Sequence, residues 1–183
     1  WFGRSRVAFV CIGLLFLSPG LLLMAQSPYT SIASGAWNDD ATWSGAGFPV
    51  AGNTATISAG HTVTLTADAA CSNLAINGSL DIAAFTLTVS NNLSGNGSFN
   101  GGSGTFNIAD DNITFTGSFT CGTSTVNFNR NGNQFIPPTT FYTVTISGGS
   151  MKTLSGSITL NGNLNINNVT LDVSGSNHGI TIQ

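Results

Sequence analysis

From residue 60 onward, apolar and polar residues follow one short pattern: apolar, polar, apolar, two or three turn-forming residues, then apolar again. The segment 74–80 reads Leu-Ala-Ile-Asn-Gly-Ser-Leu, and the segments that begin at Leu87, Ile113 and Ile158 follow the same pattern. Alternation with a period of two is typical of a strand with one buried face, and Asn-Gly or Gly-Ser pairs are typical of turns. The pattern therefore predicts short strands separated by tight turns.

These strands recur in groups of three. Segments of one kind start near residues 74, 93, 113, 135 and 158, so that one repeat takes about 20 residues. A coil of three short strands and three bends explains this recurrence, because each coil stacks its apolar residues on those of the coil before it. We predict an all-β fold, a right-handed parallel β-helix or solenoid of about 20 residues per coil. A β-sandwich, which also uses regular short strands, is the alternative.

The same alternation predicts which side chains face the core. Aliphatic residues expected to point inward are Leu74, Ile76, Leu80, Ile82, Leu87 and Val89. Phenylalanines expected to fill wider parts of the core are Phe85, Phe99, Phe106, Phe115, Phe119 and Phe128. Pro137 and Pro138 interrupt the pattern, and we expect a loop that protrudes from the coil there.

The first residues have the pattern of an export signal. Arg4 and Arg6 precede an apolar run, and Ala25 supplies the small residue that a signal peptidase needs before its cleavage site. We predict a signal peptide over 1–25, with a retained membrane anchor as the alternative. The mature chain is then secreted or held at the outer cell surface, with no membrane span after cleavage. Because the sequence stops within a strand-like pattern, we expect a fragment that is truncated at the C-terminus.

Residues 26–59 differ from the repeats, which we assign to 60–183. Trp37 and Trp43 lie six residues apart between glycine-containing turns. The first coil of a solenoid has an open apolar end that a terminal segment must cover. We predict that 26–59 is an N-terminal cap, with the two indoles as its plug and with Gly60 and His61 as structural residues at the turn that follows. A ligand platform, in which an exposed Trp37 or Trp43 stacks on a sugar, is the alternative.

Four short motifs in this region carry a family resemblance: Gly-x-Trp at 35–37, Thr-Trp-Ser-Gly at 42–45, Pro-x-x-Gly at 49–52 and Ile-x-x-Gly-His-Thr-Val-Thr-Leu at 57–65. They resemble the opening of secreted, adhesin-like surface proteins of Bacteroidetes-type bacteria, and are similar to the start of the eight-glycine extracellular domain. The resemblance implies a β-rich extracellular protein and export by a route that uses a separate C-terminal sorting domain. Position 53 is Asn where the family pattern has Asp, which weakens any metal or charge role there.

Charged residues are scarce. The chain has four Lys and Arg, seven Asp and no Glu, and a formal net charge of −3, which becomes −5 once Arg4 and Arg6 are removed. Two bases, Arg130 and Lys152, then remain, so that the chain cannot neutralise a run of phosphates and nucleic acid is a poor partner.

Candidate chemistry is equally sparse. A glycosidase or a calcium site would need acidic side chains close together, and two acidic pairs are candidates: Asp110-Asp111 and Asp39-Asp40. Adjacent residues of a strand face opposite sides, and we interpret both pairs as turns. Calcium binding at either pair is left open.

No second His or Cys stands at ligand spacing from His61, so we predict a structural hydrogen bond and no metal or other cofactor. Repeated Thr-x-Thr pairs resemble ice-binding solenoids, yet their irregular spacing predicts no threonine grid.

In the predicted register, Cys71 and Cys121 lie about two and a half coils apart, too far for a disulfide, so we predict two unpaired thiols. We predict no catalytic residue and a non-catalytic extracellular structural or adhesive module, which contacts extracellular polysaccharide or cell-surface components. The alternatives are a carbohydrate-binding module and a fragment of a β-helical polysaccharide-degrading enzyme.

Overall fold

The computed structural model describes residues 28–111 and 113–183; the predicted signal peptide at 1–25 and Asn112 lie outside the described residues. The chain winds into a β-solenoid of about seven turns, with roughly 19 residues per coil and almost no helix. Every ladder between the named strands is parallel. The predicted parallel solenoid is therefore confirmed over the sandwich, whose sheets are antiparallel.

The strands are short, and the apolar-polar alternation of the sequence sets their buried faces. In chain order they are β1 Tyr29–Thr30, β2 Gly35–Ala36, β3 Thr54–Ile57, β4 Thr62–Thr64, β5 Ala69–Ile76, β6 Ser79–Asp81, β7 Thr86–Gly95, β8 Ser98–Asn100, β9 Thr105–Ile108, β10 Thr114–Phe115, β11 Ser118–Thr120, β12 Thr125–Phe128, β13 Gln134–Ile136, β14 Thr140–Phe141, β15 Thr143–Ile146, β16 Met151–Leu154, β17 Ile158–Leu160, β18 Leu164–Ile166, β19 Thr170–Asp172 and β20 Ile180–Ile182. Two short 3-10 helices, Asp40–Thr42 and Ser174–Ser176, lie near the two ends of this range.

The largest sheet is a pair of ladders joined through β5 and β7. The register between these two long strands shifts between Cys71 and Asn73, so that each strand contributes to both ladders. Their first halves belong to what we call the long ladder, which continues through β9, β12, β15 and β18. Their second halves pair with β3 on one side and β10 on the other. A third ladder runs through β2, β4, β6, β8 and β11.

The ladders change partway along the solenoid. Among the described residues, β10 and β11 pair with strands of the coil before them, whereas β13 and β14 pair with strands of the coil after them, namely β16 and β17. In this part of the chain, the long ladder is the one ladder that crosses this point, through the four residue pairs of β9 and β12. We call the junction between β10–β11 and β13–β14 the seam. It divides the described solenoid into an N-terminal and a C-terminal stack.

The seam corrects the predicted register. Thr114 pairs with Ser94, in agreement with the predicted alignment of 93 and 113, but Phe135 pairs with Thr153 and starts a different ladder. The proposed series from 113 to 135 and 158 was therefore wrong, because the coils differ in length and, among the described residues, β13 has no strand partner in the preceding coil. A single backbone bond, from the N–H of Phe135 to the carbonyl oxygen of Asp111, joins β13 to that coil.

The prediction of a protruding loop at the two prolines was also wrong. Pro137 and Pro138 lie at the bend between β13 and β14. The ring of Pro138 lies against Gly156 of the next coil, so this bend stacks on the solenoid.

The predicted core is largely confirmed. All six aliphatic residues predicted to point inward are fully buried, as are Phe99, Phe106 and Phe128. Phe85, Phe115 and Phe119 are partly buried and pack against the core. Phe115 and Phe119 belong to β10 and β11, which are the last strands of their ladders among the described residues, and this position is consistent with their residual exposure.

One bend repeats as a column of glycines. Gly78, Gly97 and Gly117 each precede the serine that opens a strand of the third ladder, in Asn-Gly-Ser or Thr-Gly-Ser turns. A Cβ at Gly97 would collide with the carbonyl oxygen of Gly78, and a Cβ at Gly117 would collide with that of Gly97. Because the coils lie one strand spacing apart, the backbones at this bend have no room for a side chain between them.

The N-terminal strands already take part in the parallel pairing. β1 pairs with β3 and β2 pairs with β4, so both lie at the end of their ladders. An antiparallel bridge between Ser31 and Trp43 folds the segment 31–43 back on itself. Among the described residues, no helix has the length and apolar character that a membrane span requires.

Candidate functional site

Trp37 and Trp43 are buried at the N-terminal end of the solenoid. Their exposed fractions are 2% and 1%, and their rings meet edge to face with centroids 5.1 Å apart. The Nε1–H of Trp37 donates to the carbonyl oxygen of Pro49 at 3.0 Å, so that the indole is buried without an unsatisfied donor. This packing supports the capping role. A sugar platform requires an exposed ring face, and neither indole offers one.

His61 stands in a small hydrogen-bonded cluster. Its Nδ1 lies 2.9 Å from the hydroxyl of Ser31, and the same hydroxyl accepts the backbone N–H of Ser58 at 2.8 Å. The hydroxyl of Ser58 donates to the carbonyl oxygen of Ser31 at 2.9 Å. These bonds tie β1 to the turn at Gly60, whose positive φ of 84° suits glycine. The arrangement is the structural hydrogen bond predicted for His61.

The acidic pairs do not form a common site in the described part of the chain. Asp39 caps the first 3-10 helix, because its Oδ1 accepts the backbone N–H of Ala41 at 3.0 Å. Asp110 is buried, with 2% exposure, and its Oδ2 accepts the backbone N–H of Leu93 at 2.7 Å. Asp111 points to solvent and pairs with Arg130 at 3.4 Å. The two members of the Asp110-Asp111 pair therefore face apart, but Asp110 is a buried hydrogen-bond acceptor and not the solvated turn residue that the sequence predicted.

A buried lysine is the charged residue that sequence reasoning missed. Lys152 has no exposed surface, and its Nζ donates to the carbonyl oxygens of Arg130 at 2.6 Å and Gly132 at 2.8 Å. Burial, followed by repulsion from the charge of Arg130, lowers the pKa of Lys152. The sequence pattern of β16 indicates this burial: Lys152 stands two residues before the buried Leu154, so both side chains lie on the inward face of the strand.

Cys71 and Cys121 are both free thiols, in agreement with the predicted absence of a bridge between them. Cys71 lies in the first half of β5, in the long ladder, whereas Cys121 follows β11 at the end of the third ladder. Burial raises the pKa of the Cys71 thiol to about 12. Within the residues that the structure describes, no group of three or more His, Cys, Asp or Glu side chains is placed to hold a metal ion.

The most regular surface is the outer side of the long ladder. Thr86, Thr105, Thr125 and Thr143 stack in register as one column. A second column, two residues further along each strand, contains Thr88, Asn107, Asn127, Thr145 and Asn165. We call these two columns the polar face. All nine of its residues are uncharged, and they are spaced by the strand separation in one direction and by two residues in the other.

Side-chain hydrogen bonds connect the second column. The amide of Asn107 donates to the hydroxyl of Thr88 at 3.1 Å, and the amide of Asn127 donates to Oδ1 of Asn107 at 2.7 Å. The amide of Asn165 lies 3.5 Å from the hydroxyl of Thr145. The two shorter bonds orient the amides of Asn107 and Asn127, so this part of the face presents ordered donors and acceptors.

The polar face explains the irregular spacing of two threonine pairs. Thr86/Thr88 and Thr143/Thr145 lie on the same ladder, three coils apart, with Thr105/Asn107 and Thr125/Asn127 between them. The Thr-x-Thr pattern alone does not reveal the two Thr-x-Asn rungs. The pair Thr62/Thr64 belongs to the third ladder and has no place in this array.

Comparison of the chain with protein-family models finds no matching family, and comparisons with curated proteins and with solved structures find no match. The polar face and the packing of the solenoid are therefore the basis for a functional argument.

Proposed function

We propose that the protein is a non-catalytic extracellular module, structural or adhesive, whose polar face contacts neutral polysaccharide or other cell-surface components. The observation that carries this proposal is the in-register array of uncharged Thr and Asn side chains on the long ladder. A continuous β-ladder makes a stiff support, because each coil is bonded to the next through its backbone. Secretion, with cleavage of the segment 1–25, is part of the same proposal.

The chemistry of the polar face fits a partner that is rich in hydroxyl groups. Thr hydroxyls and Asn amides both donate and accept hydrogen bonds, as sugar hydroxyls do. Repeats at the strand spacing allow many weak contacts to act together on an extended partner, and multivalency raises the affinity without any strong single contact. The absence of charge on the nine residues of this face makes such contacts insensitive to salt.

The two alternatives have less support. A carbohydrate-binding module that stacks Trp37 or Trp43 on a sugar needs exposed rings, and both rings are buried. A polysaccharide-degrading enzyme needs paired carboxylates on one surface. Asp110 and Asp111, the best local pair, face apart, and Asp111 is engaged by Arg130.

Binding to a panel of insoluble neutral polysaccharides and to bacterial cells tests the proposal. Co-sedimentation of the wild-type chain is compared with that of the double variant Thr105→Glu, Thr125→Glu, which places two charges on the polar face. The matched control is Ser98→Glu, Ser118→Glu, since these exposed serines stack in the third ladder with their hydroxyls 3.0 Å apart. We expect salt-insensitive binding that the first variant loses and the control keeps.

Two outcomes would contradict the proposal. Loss of binding in both double variants, or in neither, would remove the polar face as the contact surface. Release of soluble sugar or new reducing ends from any substrate in the panel would make the protein an enzyme.

A further inference from the structure

The solenoid contains an apolar cavity of about 250 Å³ at the seam. Its inner wall is formed by core residues of both stacks, among them Phe99 and Phe106 from the N-terminal stack and Phe128 from the C-terminal stack. Its outer rim consists of Phe115, Thr116 and Gly117 on one side and of Pro137, Pro138 and Thr139 on the other. The cavity therefore reaches from the core to the surface through the gap between the two stacks.

The ladder pairing explains why the gap exists. β11 is the last strand of its ladder and β14 is the first strand of the next one, so no backbone ladder of the described residues closes the space between them. Pro137 and Pro138 line this opening, and neither has a backbone N–H with which to bond the preceding coil.

Aromatic rings surround the cavity. The ring of Phe99 stacks on Phe106 with centroids 4.6 Å apart and on Phe119 with centroids 5.1 Å apart. Phe141 meets Phe119 at 5.6 Å and Phe128 at 5.7 Å, edge to face in both cases. These contacts fix the rings as walls, and Phe119 with Phe141 bridges the seam.

The lining determines the class of ligand. None of the described side chains that line the cavity is charged, so a charged molecule would lose its hydration without a partner there. An apolar cavity of about 150 Å³ is known to remain dry and to bind benzene, and this one is larger. Phenylalanine walls favour an aromatic guest, since aromatic rings attract each other edge to face or offset. The two threonines of the rim can bond one polar substituent.

We propose that the seam cavity is a binding site for a neutral aromatic molecule of one or two fused rings, of the size of phenol or indole. The site lies inside the solenoid and is independent of the polar face. Bound in the gap, such a ligand fills space that the two stacks leave open and joins them, so it stabilises the folded chain by its binding free energy.

Fluorine NMR of fluoroindole with the full chain tests this site. We expect saturable line broadening that unlabelled indole reverses, and no broadening of fluorobenzoate, the charged probe, at the same concentration. The rim variant Thr116→Phe blocks the entrance, and Thr116 is exposed, so that the substitution leaves the core intact. Thr120→Phe, on an equally exposed residue outside the cavity lining, is the matched control.

We expect Thr116→Phe to weaken fluoroindole binding by about tenfold or more, which corresponds to about 1.4 kcal/mol, and Thr120→Phe to leave it unchanged. A second pair of variants repeats the comparison. Ile113→Phe adds a ring inside the cavity lining and should fill the cavity, whereas Ile180→Phe, at a partly buried residue outside the lining, is its control. Indole should also raise the unfolding temperature of the wild type and not of Ile113→Phe. Absence of saturable binding, equal binding of fluorobenzoate, or binding that neither lining variant weakens would overturn the proposal.

Discussion

The Nε1–H of Trp43 donates to the carbonyl oxygen of Trp37 at 2.7 Å, while the two indole rings pack edge to face. One side chain thus holds the backbone of the other, and both rings are removed from water. Both indoles belong to the same buried apolar cluster as Ala55, Ile57 and Val63. The cap is therefore a packed and hydrogen-bonded unit.

Removal of one indole should destabilise the whole solenoid. We expect Trp43→Ala to lower the free energy of unfolding by about 3–5 kcal/mol, as for other large buried aromatic residues. Urea unfolding followed by circular dichroism measures this change. Phe48→Ala, in the same segment but at a residue that is 37% exposed, is the control and should change it far less.

The emission of the two indoles provides a separate measurement. In a Trp1→Phe chain, Trp37 and Trp43 are the two remaining tryptophans. With excitation that selects tryptophan, we expect blue-shifted fluorescence that resists quenchers and that no polysaccharide alters. Red-shifted emission that a sugar changes would contradict the buried cap and restore the sugar-platform alternative.

The glycine column should not tolerate a methyl group. Gly97→Ala places a Cβ against the carbonyl oxygen of Gly78, and the coils cannot separate without loss of ladder bonds. We expect a loss of about 2–4 kcal/mol in the free energy of unfolding. Gly175→Ala, where a Cβ would meet nothing within 4 Å, is the matched control and should remain within about 0.5 kcal/mol of the wild type. Equal effects of the two substitutions would show that the coils do not stack at this bend.

Lys152 should stabilise the fold although its charge is buried. Lys152→Ala removes both hydrogen bonds to the turn at Arg130 and Gly132 and leaves a void, so we expect a loss of about 2–4 kcal/mol. Met151→Ala changes the neighbouring residue, which is 40% exposed on the opposite side of β16, and should lower the free energy of unfolding much less. Urea unfolding of the wild type and of both variants measures the difference.

The lowered pKa of Lys152 also predicts the direction in which the stability of the fold changes with pH. The folded chain gives up this proton at a lower pH than the unfolded chain, whose lysine titrates near 10.5. Between these two values the unfolded state binds more protons, so the stability of the wild type relative to Lys152→Met should rise with pH. A difference that stays constant up to pH 10.5 would contradict the buried position of the amine.

The Cys71 thiol should resist alkylation. Because burial raises its pKa to about 12, the thiol remains protonated at mildly basic pH, and the thiolate is the form that reacts. In the folded chain at pH 8 we expect iodoacetamide to modify Cys121, which is half-buried, about tenfold or more faster than Cys71, as read by peptide mass spectrometry. In urea the two rates should converge. Equal rates in the folded chain, or a disulfide between the two cysteines, would contradict the structure.

The sequence by itself determined the class of fold and much of the core. Leu74, Ile76, Leu80 and Ile82 alternate with polar residues, and a period of two assigns each side chain to one face whatever the neighbouring coil does. The recurrence of three strands per repeat then distinguished a solenoid from a sandwich. His61 followed from local chemistry, since a single histidine in a turn without other metal ligands favours a hydrogen bond.

Only the tertiary structure decided how the coils align. Ladder register depends on which residues meet across a bend, and coils of unequal length bring different partners together. For this reason the sequence misplaced Phe135, missed the alignment of Thr105 and Asn107 with Thr86 and Thr88, and could not show the seam. The environment of Asp110 likewise depends on Leu93 from the preceding coil. Alternation along one strand is a local property, whereas stacking, burial of a charge and the cavity at the seam arise from contacts between residues about 20 positions apart.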